Sequence, residues 1–253
     1  MLCGIILFEE KEVKSMGRAY EVRKASIQKN GMAKAKVYST FAKEIYLAAK
    51  KGLPDPDANV VLKRLIEKAK RAQVPNDIVQ RAIDKAKGAG QDEYTEVTYE
   101  GFGPGASTLI IKCLTDNVNR TVGFVRAAFN KVHKNLGVTN SVSYNYDYLG
   151  VVSFNCENEE VILDKLIEFE VDPIDFENED GVLTISVNPS DETKLKDAIE
   201  SVYPEVEYLF DEIGMFAKDK ITLEGEDKEV FEKLLNLLED VEDVSNIYHN
   251  VEL

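Results

Sequence analysis

The chain has no tryptophan, and only three cysteines and two histidines among its 253 residues. Cys3, Cys113 and Cys156 lie far apart, are odd in number and form no CxxC pair. They imply neither a zinc site nor a disulfide framework, and they fit a reducing cytoplasm. His133 and His249 are too few for a histidine-rich metal centre. Long apolar runs are missing too. Residues 2–8 are largely apolar, but the run is too short to span a membrane. It has no basic start and meets Glu9 and Glu10, which makes it a poor signal peptide. No Ser-His-Asp or Cys-His arrangement can be argued from the pattern. The acid groups Asp211-Glu212 and 240–243 read as solvated surface rather than a Mg²⁺ site, because no base or nucleophile accompanies them. The chain therefore reads as a non-enzyme, without cofactor, metal or small-molecule substrate.

What is abundant is acid, but unevenly. The net charge is −15. Residues 16–90 hold 17 Lys/Arg against 7 Asp/Glu, whereas residues 91–253 hold 12 against 36. Such a contrast suggests a nucleic-acid-facing module carried on an acidic body. The body would repel phosphate, so it should orient the chain on a polyanion rather than hold it.

The basic part reads as helical. Val37, Phe41, Ile45 and Ala48/Ala49 recur at helical spacing and predict a helix over 35–50 with an apolar face. Gly52 ends it. Asp55 is expected to cap a second helix, with Pro56 at its first position, running to about Ala72. Leu62, Leu65, Ile66 and Ala69 should face inward. Pro75-Asn76-Asp77 starts a third helix, and Gly88-Ala89-Gly90 closes the module. Lys34, Lys36, Lys43, Lys50 and Lys51 on the first helix, and Arg64, Lys70 and Arg71 on the second, are candidate phosphate contacts, joined by Arg18 and Lys24 upstream. Lysines on long stems can neutralise backbone charge and release counterions, which gives affinity without sequence choice. The alternative is a solvated helical surface, since Lys and Arg are good helix formers without a ligand. No helix-turn-helix signature names a base-reading helix.

The acidic part alternates strands and helices. Strands are expected at 108–114 and 142–146 around a helix over 120–134. A complete β-α-β-β-α-β set follows. Its strands are 151–154, 174–176, 182–187 and 206–210, its helices start at Asn158 and Ser190, and a hairpin turn lies at Glu179-Asp180-Gly181. The tail adds a strand over 215–223, a helix through Phe231 and Leu238, and a strand over 244–249. The expected fold is α+β: an N-terminal helical domain, then two ferredoxin-like domains, one inserted in the other. The domains would be 16–92, 93–147 with 213–253, and the insert 148–212. Residues 1–15 read as an extension or as an upstream start; a short strand docked on a neighbour is the other reading.

One stretch joins the two parts. Residues 99–121 read YEGFGPGASTLIIKCLTDNVNRT. Gly101-Phe102-Gly103-Pro104-Gly105 precedes a strand, not a helix N-terminus, and Pro104 lacks the N–H a phosphate cradle needs, so it reads as a structural turn. The turn 115–121 is dense in helix-capping residues. Asn117, Asn119 and Arg120 sit at a helix N-terminus that suits an anion, and Arg120, Arg126, Lys131 and Lys134 form a basic cluster on that helix; the alternative is capping by Asp116 or Asn119 plus ordinary surface charge. His133 reads as a surface residue near the helix end.

YEGFGPGA, then TDNVNRT, then residues 137–144 (GVTNSVSY) together resemble the YebC/PmpR family of probable transcriptional regulators, nearest its YeeN-like branch. The resemblance runs from about Met16 to Asn250. It implies a three-domain fold, no enzymatic activity and a DNA-binding role, and a relative is a mitochondrial translational activator. A role for the 101–105 turn in presenting backbone to RNA or a partner is also implied. The family usually opens with a basic segment holding Lys-Trp. Here the matching residues are Gly17-Arg18-Ala19-Tyr20, where only Tyr20 can stack on a base.

The sequence thus points to a cytoplasmic nucleic-acid-binding regulator of transcription. The alternative partner is ribosomal RNA or tRNA on the ribosome, read by shape and phosphate position, in a factor that assists elongation. A protein-binding scaffold using exposed sheet surfaces is a third class. No membrane association is expected.

Overall fold

The computed structural model describes residues 34–88 and 94–252. Helix α1 (Lys34–Lys51) buries Ile45, Tyr46, Leu47 and Ala49, and Lys50 and Lys51 sit in its last turn, where the helix dipole favours cations. Helix α2 (Val60–Arg71) begins four residues later than Pro56 suggests. Asp55 instead closes a turn: its carbonyl accepts from the Ala58 N–H and its carboxylate from the Asp57 N–H, both at 3.1 Å. A proline φ suits that turn as well as a helix start. The cap is Asn59, whose Oδ1 accepts from the Leu62 N–H at 3.1 Å. Its Nδ2 donates to the Ala48 and Leu53 carbonyls, so one side chain serves the end of α1 and the start of α2. Helix α3 (Asn76–Lys87) starts on Pro75 and buries Val79, Ala82 and Ile83. The three helices share one core with Leu114 of the body.

Two compact units form among the described residues: 150–212, and the remainder. Besides the helices, the remainder contains the strands β1 (Thr95–Phe102), β2 (Thr108–Thr115), β3 (Asn135–Leu136) and β9 (Val244–His249). They form an antiparallel sheet of order β3-β1-β2-β9. Helices α4 (Val118–Lys131) and α7 (Gly225–Glu239) cover one face, packing Val125, Phe129, Phe231, Leu234 and Leu238 on Leu109, Ile111 and Cys113. A two-residue parallel pair, β8 (Ile221–Thr222) with β10 (Val251–Glu252), closes the tail.

The unit 150–212 is built from β4 (Tyr146–Asn155), α5 (Glu159–Glu168), β5 (Asp175–Glu179), β6 (Val182–Val187), α6 (Glu192–Val202) and β7 (Tyr208–Ala217). Its sheet has the ferredoxin-like strand order β5-β6-β4-β7. Asn158 caps α5 as its sequence suggests, accepting from the Glu160 N–H. Asp180 and Gly181 both have positive φ (52° and 81°) and pair Glu179 with Val182, a two-residue turn of the type that matches strand twist. Its core is Phe154, Ile162, Leu166, Leu183, Ile185, Leu195 and Ile199 with their neighbours.

Three segments depart from the sequence pattern. Residues 95–102 are a full strand, and Gly101 and Phe102 belong to it rather than to the turn. Residues 142–145 are not a strand; Ser143–Asn145 is a single 3₁₀ turn leading into β4, which starts at Tyr146. The strands expected at 206–210 and 215–223 are instead one strand, β7, followed by the short β8. Strands β4 and β7 therefore run without a break through the expected domain seams at 147/148 and 212/213.

Candidate nucleic-acid interface

Helix spacing divides the lysines of α1 between two surfaces. Lys34, Lys50 and Lys51 are exposed, as are Lys70 and Arg71 on α2, while Arg64 is half-buried. The Lys50 ammonium donates to the Tyr46 hydroxyl at 3.1 Å, and Lys51 pairs with the exposed Glu96 at 3.2 Å. An exposed pair of that kind stabilises little and yields readily to a competing anion. Arg18 and Lys24 lie outside the described residues.

Lys36 and Lys43 point the other way. The Lys36 ammonium donates to the carbonyls of Glu239 and Val241. Burial lowers its pKa, against the raising pull of Glu239 and Asp240. The Lys43 side chain is 12 % exposed; its ammonium lies 3.4 Å from the Leu114 carbonyl and 3.3 Å from the Asp243 carboxylate. These two lysines fasten α1 to the end of β2 and to the turn before β9, and their charges are spent there.

Asp243 is the centre of that fastening. It is buried, not solvated surface as the acid run 240–243 suggests. Its Oδ2 accepts from the Thr121 hydroxyl at 2.8 Å, from Arg120 at 2.9 Å and from the Thr115 hydroxyl at 3.2 Å. Burial alone would raise its pKa, but the hydrogen bonds from Arg120 and Thr121 and the Lys43 charge outweigh it, and the carboxyl sits below the usual range. Arg120 also holds Asp116 at 2.7 Å. The cap of α4 is neither Asp116 nor Asn119 but Asn117, whose Oδ1 accepts from the Arg120 N–H at 3.0 Å. The motif TDNVNRT is thus a helix cap combined with a carboxylate clamp. Asn119 and Arg126 are exposed on α4.

The other two motifs are also built around close packing. A Cβ on Gly101 would come within 2.4 Å of the Phe129 ring, so only glycine lets β1 lie against α4. Gly105 has φ +57° and closes the β1–β2 connection. That connection bonds to itself: the Gly103 N–H reaches the Ser107 carbonyl at 2.9 Å, and the Ser107 hydroxyl reaches the Pro104 carbonyl at 2.6 Å. Glu100 is buried, and its carboxylate accepts three backbone N–H groups, from Asn140, Val142 and Ser143, at 2.7–3.0 Å. Burial would raise its pKa; these three bonds lower it below the usual carboxylate value. The loop GVTNSVSY wraps a charge that the strand supplies.

A feature that the sequence pattern did not announce lies between α1 and α3. A cleft of about 310 Å³ is lined by Lys43, Tyr46, Arg81, Lys85, Tyr94 and Glu242 among others. Tyr46 and Tyr94 meet edge to face at 5.7 Å, and the Lys85 ammonium sits 5.7 Å from both ring centres. The signal was available in the spacing: Lys43 and Tyr46 are three apart on α1, and Arg81 and Lys85 four apart on α3, so each pair shares a helix face. Its charges are largely matched, since Lys43 faces Asp243 and Arg81 pairs with Asp77. Among the described residues no group of three or more His, Cys, Asp or Glu side chains could hold a metal ion, and no helix is long and apolar enough to cross a membrane.

Comparison with known proteins agrees with this architecture. Residues 18–89 match the TACO1/YebC protein N-terminal domain, and residues 94–251 match the TACO1/YebC second and third domain. A probable transcriptional regulatory protein of Vibrio parahaemolyticus is 47% identical over 238 residues, covering 94% of this chain and 100% of that one. A protein of the same description from Marinobacter nauticus is 44% identical over 238 residues, covering 94% and 99%. The crystal structure of a conserved hypothetical protein from Aquifex aeolicus superposes with a TM-score of 0.71 at 31% identity, covering 86% of this chain and 90% of that one. With both family domains matched over almost its whole length, and relatives of this identity, the chain belongs to the TACO1/YebC family.

Proposed function

We propose that this chain is a cytoplasmic nucleic-acid-binding regulatory protein, a DNA-binding regulator of transcription whose helical module supplies the phosphate contacts. The observation that carries the reading is the segregation of charge. The basic module holds 17 Lys/Arg against 7 Asp/Glu, and the residues after it hold 12 against 36. Lys34, Lys50, Lys51, Lys70 and Arg71 are exposed on it, within reach of a polyanion. The description of the relatives, probable transcriptional regulatory protein, is consistent with that role. Contacts of this kind are to phosphate, so the binding is strong in dilute salt and weak in sequence preference. The protein performs no bond chemistry in this reading; it acts by occupancy.

The test is duplex DNA binding across a salt series. Reversing Lys34, Lys50, Lys70 and Arg71 to Glu should weaken binding strongly. It should also flatten the plot of log affinity against log salt by roughly 0.9 for each phosphate no longer neutralised. Lys36 and Lys43 are left alone, because their removal would loosen the fold. Unchanged affinity in the fourfold variant would sink the proposal. Co-sedimentation with ribosomes at salt that strips duplex DNA would transfer the same basic face to folded RNA.

A further inference from the structure

On β1 and β2 the side chains alternate between faces. Leu109, Ile111 and Cys113 meet α4 and α7, so Ile110, Lys112 and Leu114 turn to the opposite face. Register places Glu100 beside Ile110, Thr98 beside Lys112 and Phe102 beside Thr108 on that face, with Tyr248 of β9 across from Ile110. One end is covered by α1–α3 over Leu114. The middle holds a small core of Ile110, Val142, Tyr146, Ala217 and Tyr248. The rim is open. Phe102 is 45 %, Tyr144 73 % and Tyr148 51 % exposed. They are three of the four large aromatic side chains exposed among the described residues, the fourth being Phe124 on α4.

Phe102 and Tyr148 have ring contacts, and the backbone that carries Tyr144 is fixed. The Phe102 ring lies against Gly137, where a Cβ would approach it to 3.2 Å. The Tyr146 hydroxyl donates to the Thr108 carbonyl at 2.9 Å, which pins the chain between Tyr144 and Tyr148 beside the Phe102 pair. The loop carrying Tyr144 is fixed by the three N–H bonds to Glu100, and those bonds also offset that carboxylate's charge. Two cations stand among the rings. The Lys112 ammonium is 4.7 Å from the Tyr148 ring centre, and the Lys218 ammonium is 3.0 Å from the Tyr144 carbonyl. Lys218 also lies 3.5 Å from Asp147. On a strongly acidic body, this places two ammonium groups beside exposed aromatic residues, one of them over a ring face.

We propose that the rim formed by Phe102, Tyr144 and Tyr148, with Lys112 and Lys218, is a platform for unpaired bases of a single-stranded nucleic acid. Exposed aromatic faces at the rim of a sheet stack splayed bases, and neighbouring lysines take the flanking phosphates. A protein-binding patch would instead be depleted in lysine at its centre. The inference rests on the nucleic-acid reading above but names a second surface and a different form of the ligand: the helical module takes duplex phosphate, the rim takes unpaired bases.

The test uses the full chain and labelled single strands of about twelve nucleotides, oligouridylate and oligothymidylate, beside a duplex of equal length. The variants are Tyr144→Ala/Tyr148→Ala and the conservative Tyr144→Phe/Tyr148→Phe, each checked for an unchanged circular dichroism spectrum. The alanine pair should weaken both single strands about tenfold or more and leave the duplex unaffected, and the phenylalanine pair should restore binding. A larger effect on oligouridylate than on oligothymidylate assigns the platform to RNA; equal effects make it indifferent to the sugar. Single-strand binding that is unchanged by the alanine pair overturns the platform. So does single-strand binding that disappears only with the lysines of the helical module. Duplex binding without any single-strand binding overturns the platform and spares the proposed function; absence of both overturns both.

Discussion

At position 243 a carboxylate receives a lysine, an arginine and two threonine hydroxyls from three elements. Replacing it by amide removes the charge those donors were placed to meet. Asp243→Asn should lower the unfolding free energy at neutral pH by about 2 kcal/mol, the scale of a hydrogen bond to a charged group. The pH dependence follows from the direction of its shift. Its folded pKa lies below the unfolded value, so the folded state gains from ionisation. That gain is complete above the unfolded pKa of about 3.9 and is lost as pH falls through the folded value. Urea midpoints of wild type and variant should therefore differ at pH 7 and converge below about pH 4. A gap that stays constant with pH would assign Asp243 a packing role only. Cys113 is the opposite case. Burial, with Asp243 nearby, pushes its thiol up to about 12, so it stays protonated and should resist thiol reagents until the chain unfolds.

Helix ends set local stability at the scale of single elements. Helices α2, α4 and α5 each finish with a left-handed residue that is not glycine: Gln73 (φ 57°), His133 (55°) and Glu170 (52°). In each, the next N–H reaches back five residues to a helix carbonyl, as from Lys134 to Phe129 at 3.0 Å. Glycine adopts that backbone without the Cβ penalty, so Gln73→Gly and His133→Gly should each stabilise the fold by up to about 1 kcal/mol. Thermal midpoints test it; a fall in either would mean that the side chain holds a contact worth more than the strain. The same scale shows what was legible in the sequence. Amphipathic helices and the inserted strand set could be read because their periods are local. Strand β1 could not, because Glu96 and the buried Glu100 break its apolar pattern, and Glu100 is explained only by a loop some forty residues on. Val142, Tyr144 and Tyr146 imitate a strand's alternation, yet Glu100 has taken the N–H groups a ladder would use. Lys36 and Lys43 looked like their exposed neighbours, since nothing local marks which lysine meets a distant carbonyl.

Across the whole molecule the unit 150–212 has its own core and its own buried charges. Lys196 is 3 % exposed and pairs with Glu192 and, at 2.6 Å, with Asp211, which is therefore not the solvated acid its sequence neighbourhood suggests. All three groups lie within this unit, so the Lys196 ammonium finds both of its carboxylates inside it. Strands β4 and β7 are neighbours in its sheet and carry the chain in and out side by side. An insertion whose two ends lie together can be removed without pulling the host apart. A fragment covering 146–217 should then unfold in one cooperative transition, while the chain deleted only of 150–212 and closed by a short glycine-serine linker, which leaves Tyr146 and Ala217 in the host's core, should keep the duplex affinity of the whole. Lys196→Met in the fragment would leave two buried carboxylates unpaired and should cost several kcal/mol, enough to abolish that transition. If the fragment stays unfolded while the intact chain tolerates Lys196→Met, the unit depends on its host, and the segment is a lobe of one domain rather than a domain carried within another.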